Sequence, residues 1–191
     1  MKLYEYQAKE LFAKFGIPTP GGRVAATVEA AAKIAVELGL PLVVKAQVPV
    51  GGRGKAGGIK IARTHEEVGD FSRQILGMKI KDFPVKKILL EPALEIEQEF
   101  YLGIIVDRAT KGNTLIFSSV GGIDIEEVAR TQPEKITKLA LTRSPLTVPL
   151  LPVPRLCSGQ EGEGIRGIAE KLAKAYFEND ATLVEINPLV R

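Results

Sequence analysis

The chain has 191 residues, of which 45% are hydrophobic and 26% are charged, and its formal net charge is +3 at pH 7. This length accommodates one large domain or two small domains with a sizeable core. The 26 basic residues nearly balance the 23 acidic residues, whereas a dedicated nucleic-acid-binding protein needs a dominant basic surface. A membrane span needs about 18 consecutive apolar residues, and no apolar run in the sequence is that long. Neither nucleic acid nor a membrane is therefore a predicted partner.

The predicted cellular location follows from two further features. The N-terminal stretch Met-Lys-Leu-Tyr-Glu-Tyr-Gln lacks the apolar core of a signal peptide. The single cysteine, Cys157, excludes an internal disulfide bond and suits a reducing compartment. We expect the protein in the cytoplasm, or in the mitochondrial matrix if its source is eukaryotic.

The first half of the chain is predicted to contain three helices and two strands. Thr27 and Thr64 have the side chains and positions of helix N-caps, and glycines follow the predicted last turns. An apolar run precedes a glycine-rich loop and another follows it, which predicts a strand on each side of the loop. In chain order, the predicted elements are residues 3–15, 29–38, 42–48, 58–62 and 64–76.

The second half is predicted to begin with three strands, of which the second and third form a hairpin. The polar stretch 124–139 is predicted to be helical in two pieces that are divided at Pro133. Four prolines within 144–154 predict a covering loop. The remaining predicted elements are strands at 85–92, 98–107, 114–119 and 181–190, and an amphipathic helix at 163–178.

The predicted elements mix helices and strands along the whole chain. Hairpins mixed with crossovers favour an α+β fold whose strands form two layers or two small sheets.

The glycine-rich loop at 51–58 is the strongest functional signal in the residues themselves. It contains five glycines, and its segment also contains Lys45, Arg53, Lys55 and Lys60. Glycines let a ligand approach the backbone, and successive N–H groups can then bind an anion such as a polyphosphate. The loop is neither a Walker loop nor a dinucleotide fingerprint, since no helix follows it. A glycine loop between two strands resembles the ATP-grasp fold, and an ordinary hairpin loop with solvated cations stays open as the alternative.

Five motifs together resemble the beta subunit of succinyl-CoA synthetase. They include Tyr-Glu-Tyr-Gln-Ala-Lys at the N-terminus, Gly-Gly-Arg-Gly-Lys-Ala-Gly-Gly in the loop and Glu-Ile-Asn-Pro-Leu-Val near the C-terminus. The five motifs lie, in order, within residues 4–12, 44–58, 101–108, 121–129 and 185–190. Malate-CoA ligase, citryl-CoA synthetase and ATP-citrate lyase share these motifs and stay open as alternatives. A biotin carboxylase type of ATP-grasp ligase is disfavoured by the first and last motifs.

The resemblance implies an ATP-grasp fold in which two α/β subdomains clasp a nucleotide. The lid subdomain is expected at 21–94, and the other subdomain at 1–20 together with 95–191. In this family, ATP or GTP with Mg²⁺ phosphorylates a histidine of a partner alpha subunit during the interconversion of succinate and succinyl-CoA. His65 is the only histidine and stands in a different context, so we expect it to be a surface residue.

The resemblance also implies which residues form the site. Asn187 is expected to bind Mg²⁺, and Glu185 is expected to be catalytic and to face the phosphohistidine loop of the alpha subunit. Because Glu185 and Asn187 are two residues apart on a strand, they should share one face. The residues expected to contact the nucleotide are Lys45, Gly52, Arg53, Gly54, Glu91, Leu94 and Glu99.

The chain departs from the family pattern in two ways. Tyr4 and Pro49 stand where many members have histidine. The family also continues through a strand with a magnesium-binding aspartate and then a CoA-ligase domain, and the chain ends before both. We therefore expect a fold truncated at its C-terminus, an incomplete metal site, and a fragment or one part of a split protein without activity of its own. A nucleotide-binding module that does no chemistry is the alternative from another functional class.

Overall fold

The computed structural model describes residues 1–141 and 160–191, and these divide into two compact units. The first unit comprises 1–13 and 18–95, and the second comprises 14–17 and 96–191. The predicted proline-rich loop and Cys157 lie outside the described residues. Within the described ranges, no helix has both the length and the apolar character that a membrane span requires.

The first unit is built from helices on a small sheet, with the elements α1 (Glu5–Lys14), β1 (Arg23–Ala25), α2 (Val28–Leu38), β2 (Leu42–Ala46), β3 (Ile59–Ala62), α3 (His65–Leu76), β4 (Lys79–Ile80), β5 (Phe83–Pro84) and β6 (Ile88–Pro92). Four of its strands form a sheet in the order β1-β6-β2-β3, in which all paired strands are antiparallel. The predicted caps are present, because the Thr27 hydroxyl accepts from Ala30 N and the Thr64 hydroxyl accepts from Glu67 N.

One face of this sheet forms the core of the first unit with α2 and α3. Leu42, Val44 and Ala46 of β2 are fully buried in that core. Side chains alternate along a strand, so Lys45 points to the opposite face. The register pairs Lys45 with Leu89 and Val43 with Glu91, which places Lys45 and Glu91 diagonally across two neighbouring strands on that opposite face.

The helix α1 belongs to the first unit, whereas we predicted that residues 1–20 pack with the C-terminal part. Residues 1–13 are held by Tyr6 N, which donates to the buried Gln47 side chain, and by ion pairs of Glu5 and Lys9. Residues 14–17 belong to the second unit, where Lys171 Nζ donates to Gly16 O. The prediction failed because these polar contacts join residues far apart in sequence and leave no local pattern.

The elements described in the second unit are β7 (Glu99–Asp107), β8 (Gly112–Ser118), α4 (Ile125–Thr131), β9 (Ile136–Leu141), α5 (Gln160–Glu178) and β10 (Leu183–Val190). Its strands form an antiparallel sheet in the order β10-β7-β8-β9. The β7 residues from Phe100 to Ile104 are buried, and α5 packs its buried Leu172 and Tyr176 against this unit.

The stretch 124–139 is only partly helical. As predicted, Pro133 ends the first helical piece, and it begins a single 3₁₀ turn, Pro133–Lys135. The residues that follow form β9 rather than a second helix, and they pair with the free edge of β8 from Asn113 to Ser118. The segment begins with the β-branched pair Ile136-Thr137, which favours a strand. The open edge of β8 decides the outcome, because its backbone groups need partners.

Candidate functional site

Five charged side chains of the first unit form a charge network, defined by Glu5, Lys9, Lys45, Arg53 and Glu91. Glu5 Oε1 is 3.0 Å from Lys9 Nζ and 3.2 Å from Lys45 Nζ. Glu5 Oε2 is 2.5 Å from Arg53 Nη1. Glu91 Oε1 is 2.5 Å from Lys9 Nζ, and Glu91 Oε2 is 2.7 Å from Lys45 Nζ. The structure therefore brings the predicted site residues Lys45, Arg53 and Glu91 together through carboxylates of this chain.

The two carboxylates of the charge network differ in how firmly they are enclosed. The Glu91 side chain is 1% exposed, whereas that of Glu5 is 17% exposed. A Cβ atom on Gly22 would lie 2.6 Å from Glu91 Cγ and 3.1 Å from the backbone oxygen of Leu90. Glu91 is therefore seated against the backbone at Gly22, and a side chain at that position would displace it.

Lys45 has carboxylate partners within this chain, which the sequence did not predict. A lysine on an apolar strand was expected to need a phosphate, because an unpaired buried charge is costly. Glu5 and Glu91 already supply the counter-charge. The contact between Lys45 and a nucleotide stays a prediction, and it requires an exchange of partners or an additional one.

Burial and ion pairing act in opposite directions on the pKa values of Glu5 and Lys45. Burial alone would raise the pKa of Glu5, but Lys45, Arg53 and Lys9 outweigh it and hold that pKa far below its ordinary value. Burial alone would lower the pKa of Lys45, but Glu5 and Glu91 outweigh it and raise that pKa. Both groups are therefore charged at neutral pH, as the ion pairs require.

We expect acid to destabilise the first unit partly through Glu5. Because the folded chain holds the pKa of Glu5 below its ordinary 4.5, this contribution to stability is complete above that pH and is lost as the pH falls toward the folded pKa. Between about pH 5 and about pH 3, wild type should lose on the order of 2 kcal/mol more unfolding free energy than Glu5→Gln. Urea titrations followed by circular dichroism measure this difference, with Glu10→Gln as the matched control. Equal losses in wild type and Glu5→Gln would contradict the assignment.

The glycine loop is closed by its own backbone hydrogen bonds. Ala56 N donates to Gly52 O, Gly57 N donates to Gly54 O, and Gly58 N donates to Arg53 O. Gly52 and Gly57 have φ values of 82° and 76°, which favour glycine. These bonds consume part of the N–H concavity that the sequence suggested, and the amides of residues 51–54 are the candidates for an anion.

A ligand can reach the loop backbone at Gly52 and Gly54, because few described atoms lie near these glycines. A Cβ on Gly52 would meet no described atom within 4 Å, and one on Gly54 would meet only Ile59 Cδ1, at 4.0 Å. Gly58 is different, since its Cβ would lie 2.8 Å from Ile80 Cδ1 and 3.1 Å from Ala46 Cβ. Gly58 is thus required by packing, whereas Gly52 and Gly54 leave the backbone accessible.

Leu94 follows β6 at the end of the first unit. Its side chain is 50% exposed, and the preceding residue, Ala93, donates its N–H to Pro41 O over 2.9 Å. This bond fixes the backbone just before Leu94. The contact of Leu94 with a nucleotide base stays a prediction.

Glu185 lies in the second unit beside a buried tyrosine that sequence reasoning missed. The Tyr101 hydroxyl donates to Glu185 Oε2 over 3.0 Å. Gly103 is paired with Glu185 across β7 and β10, and a Cβ on Gly103 would lie 2.6 Å from the Tyr101 hydroxyl. Gly103 therefore leaves the space through which Tyr101 reaches the carboxylate. Burial, and then the charge of Glu185, raise the pKa of Tyr101 above its usual range, so it stays a neutral donor.

Asn187 uses both ends of its amide to hold a glycine turn. Its Oδ1 accepts from Gly122 N over 2.8 Å, and its Nδ2 donates to Ile123 O over 2.9 Å. Glu99 lies on the other side of this turn, where its backbone oxygen accepts from Gly121 N. A Cβ on Gly122 would collide with the Glu99 carboxylate, so this turn brings Asn187 and Glu99 close together.

The residues of the charge network and the turn include several that no sequence pattern singled out. Glu5 and Lys9 are four residues apart, the spacing of partners on one helix face, but this spacing does not identify their partners on β2 and β6. Tyr101 and Gly103 share a face by the period of two, which offered a signal for their coupling.

In the part of the chain that the structure describes, no group of three or more His, Cys, Asp and Glu side chains could hold a metal ion. Any contribution of Asn187 to magnesium binding stays a prediction.

Comparisons with known proteins identify the fold and the relatives. The chain is 50% identical over 195 residues to the beta subunit of ADP-forming succinate–CoA ligase from Herpetosiphon aurantiacus, which covers 100% of this chain and 52% of that protein. It is 46% identical over 197 residues to the GDP-forming beta subunit from Thermus thermophilus, with 100% and 51% covered. The chain thus spans about half the length of these curated relatives.

Solved structures share the fold at low sequence identity. A dinucleotide-forming acetyl-coenzyme A synthetase 1 from Ca. Korarchaeum cryptofilum has a TM-score of 0.81 at 24% identity, covering 99% of this chain and 86% of that one. ATP citrate lyase from Methanothrix soehngenii has a TM-score of 0.77 at 19% identity, covering 100% and 47%. Residues 2–191 match the ATP-grasp domain, which confirms the predicted fold and resemblance: the chain belongs to the ATP-grasp domain family.

Proposed function

We propose that this chain is the nucleotide-binding part of a succinate–CoA ligase beta subunit. The single observation that carries the proposal is the 50% identity, over the whole chain, to an ADP-forming beta subunit. Relatives named for either ADP or GDP are similar over the full chain, so ATP and GTP are both candidate substrates. With Mg²⁺, the nucleotide would phosphorylate a histidine of an alpha subunit during the interconversion of succinate and succinyl-CoA.

In this proposal the first unit binds the phosphates and part of the nucleoside. Lys45 and Arg53 donate charge-assisted hydrogen bonds to phosphate oxygens, and the open backbone at Gly52 and Gly54 lets the phosphates approach. The loop amides of residues 51–54 add neutral donors. Glu91 holds its two lysines in place, and its predicted contact with the nucleoside requires the enclosure around its carboxylate to open. Leu94 contributes its backbone at the base.

The second unit, taken by itself, carries three further residues of the proposal. Asn187 fits magnesium as a single oxygen ligand, because Oδ1 accepts one hydrogen bond in the structure and an amide oxygen has two lone pairs. Bound Mg²⁺ would neutralise phosphate charge during transfer. Glu99 accepts from ribose hydroxyl groups, and Glu185, held by Tyr101, faces the phosphohistidine loop of the alpha subunit. A CoA-ligase domain would be the further partner.

Phosphoryl transfer tests the proposed function directly. The chain is incubated with Mg²⁺, an alpha subunit of a succinate–CoA ligase, and ATP or GTP labelled at the γ-phosphate. The expected result is acid-labile label on a histidine of the alpha subunit. Nucleotide binding without label transfer would favour a binding module, whereas label transfer to the alpha subunit of a malate–CoA ligase or citryl-CoA synthetase, but not to that of a succinate–CoA ligase, would favour a related acyl-CoA ligase.

We expect nucleotide to protect one part of the glycine loop from hydrogen exchange. The amides of Ala56, Gly57 and Gly58 already donate within the loop, so their exchange should be slow with or without nucleotide. The amides of residues 51–54 should slow on binding, by about a hundredfold at about 100 times the Kd. Mass spectrometry with residue-level fragmentation, in the presence and absence of Mg-ATP, measures this contrast. Unchanged exchange over 51–54 at saturation would exclude a phosphate-covering role.

A further inference from the structure

The carboxylate of Glu5 lies where a phosphate group would lie if the proposed function holds. One oxygen contacts Lys45 Nζ and the other contacts Arg53 Nη1, at 3.2 and 2.5 Å. We propose that Glu5 is an internal anion that competes with nucleotide phosphates for Lys45 and Arg53, so that binding requires its release. This inference rests on the proposed function and adds to it a residue that sets the affinity of the site.

The geometry of the contact resembles anion binding. A phosphate group presents two or more oxygens to neighbouring cations, and Glu5 presents its two oxygens to two cations in the same way. Arg53 Nη1 also donates to Ala46 O over 3.3 Å. The Arg53 nitrogen that contacts Glu5 is therefore already engaged by two acceptors, and a phosphate oxygen that approached it would meet both.

Charge decides what happens when a phosphate arrives. The charge network contains three cations and two carboxylates, so its formal charge is +1. A phosphate that enters beside Glu5 would place two anions on the same pair of cations, in a partly buried position where charges are weakly screened. One of the two anions must leave Lys45 and Arg53.

Glu5 is the carboxylate that can leave. Glu91 is almost completely buried and is seated against Gly22, so it has no room to withdraw. Glu5 is in the first turn of α1, and Lys9, one turn further along the same helix, is 3.0 Å from its Oε1. Glu5 can therefore give up Lys45 and Arg53 and still keep a counter-charge.

Calorimetric titration of Glu5→Gln tests the inference. The substitution keeps the size of the side chain and removes the competing charge, so Mg-ATP or Mg-GTP should bind about tenfold more tightly than to wild type. Glu10→Gln is the matched control, because it makes the same change in net charge on the same helix, outside the charge network. Its affinity should stay within about twofold of wild type. Glu5→Gln should also unfold more easily, and a residue with only a structural role would not combine lower stability with tighter binding.

Two further measurements separate failure of this inference from failure of the proposed function. Glu5→Asp shortens the side chain by one methylene but keeps its charge, and it should bind with an affinity between those of wild type and Glu5→Gln. Inorganic tripolyphosphate, used as a probe without a nucleoside, should show the same order. If wild type binds Mg-nucleotide and folded Glu5→Gln binds no more tightly, the inference is wrong and the proposed function stands. If neither protein binds nucleotide or tripolyphosphate, both are wrong.

Discussion

Lys45→Met should weaken the binding of Mg-nucleotide by about tenfold or more, because a hydrogen bond to a charged group contributes about 1.5–3 kcal/mol. The same substitution should lower the free energy of unfolding by about 3 kcal/mol, the lower end of the range for breaking a buried ion pair. Glu91, which is 1% exposed, would lose one of its two lysines and keep the other, Lys9. Calorimetry measures the first effect, and urea unfolding measures the second.

Lys60→Met is the matched control for this experiment. Lys60 is on β3 and is paired with Val44, whose side chain faces the core, so Lys60 lies on the sheet face opposite the charge network. Its ammonium group lies 5.0 Å from the ring centre of Phe71, and loss of that contact should cost only about 0.5–1 kcal/mol. A folded Lys45→Met protein with the affinity of wild type would remove Lys45 from the nucleotide site.

Gly121→Ala should be the most disruptive single-atom change in the second unit. The added Cβ would overlap the backbone of Phe100, because three Phe100 backbone atoms would lie closer to it than real Cβ contacts allow. Phe100 lies on β7 in the middle of the sheet, so its backbone cannot move to make room as a flexible side chain can. The expected loss of unfolding free energy is about 3 kcal/mol, at the upper end of the usual cost of overpacking. Thermal unfolding measures the loss.

Gly164→Ala provides the control for the glycine substitution. Gly164 is exposed on α5, and a Cβ there would meet no described atom within 4 Å. Alanine is favoured over glycine within a helix, so this variant should gain up to about 1 kcal/mol. If Gly121→Ala unfolded at the same temperature as wild type, the turn that carries Gly122 would not be held against Phe100.

The local elements were predictable because their signals are local. The caps at Thr27 and Thr64 were predicted in place, and the glycine loop lies between two strands as its flanking apolar runs indicated. The strand β9 was not predicted, because the need to cover the edge of β8 is a property of the assembled sheet. Only pairing partners distinguish such a polar edge strand from a helix that continues past Pro133.

The candidate site was predictable where strand alternation applies, and not where distant segments meet. The period of two separates Lys45 from the core. The shared face of Glu185 and Asn187 stays a prediction, because the register of β10 on β7 shifts between Ile186 and Leu189. The pairing of Glu5 with Lys45 spans 40 residues, and the hydrogen bond from Tyr101 to Glu185 spans 84 residues. Lys45 was expected to have an external partner, because its partners within the chain are too distant in sequence to be inferred from local patterns.

The amide of Asn187 has a chemical consequence for the lifetime of the glycine turn. Deamidation would replace the Nδ2 donor with an oxygen facing Ile123 O, so a hydrogen bond would become a repulsive contact. The common route to deamidation begins when the backbone nitrogen of the next residue attacks the side-chain amide and loses its proton. Here the next residue is Pro188, which has no backbone N–H. Asn187, which holds the turn with both ends of its amide, is thereby protected from this route to deamidation by its own neighbour in the chain.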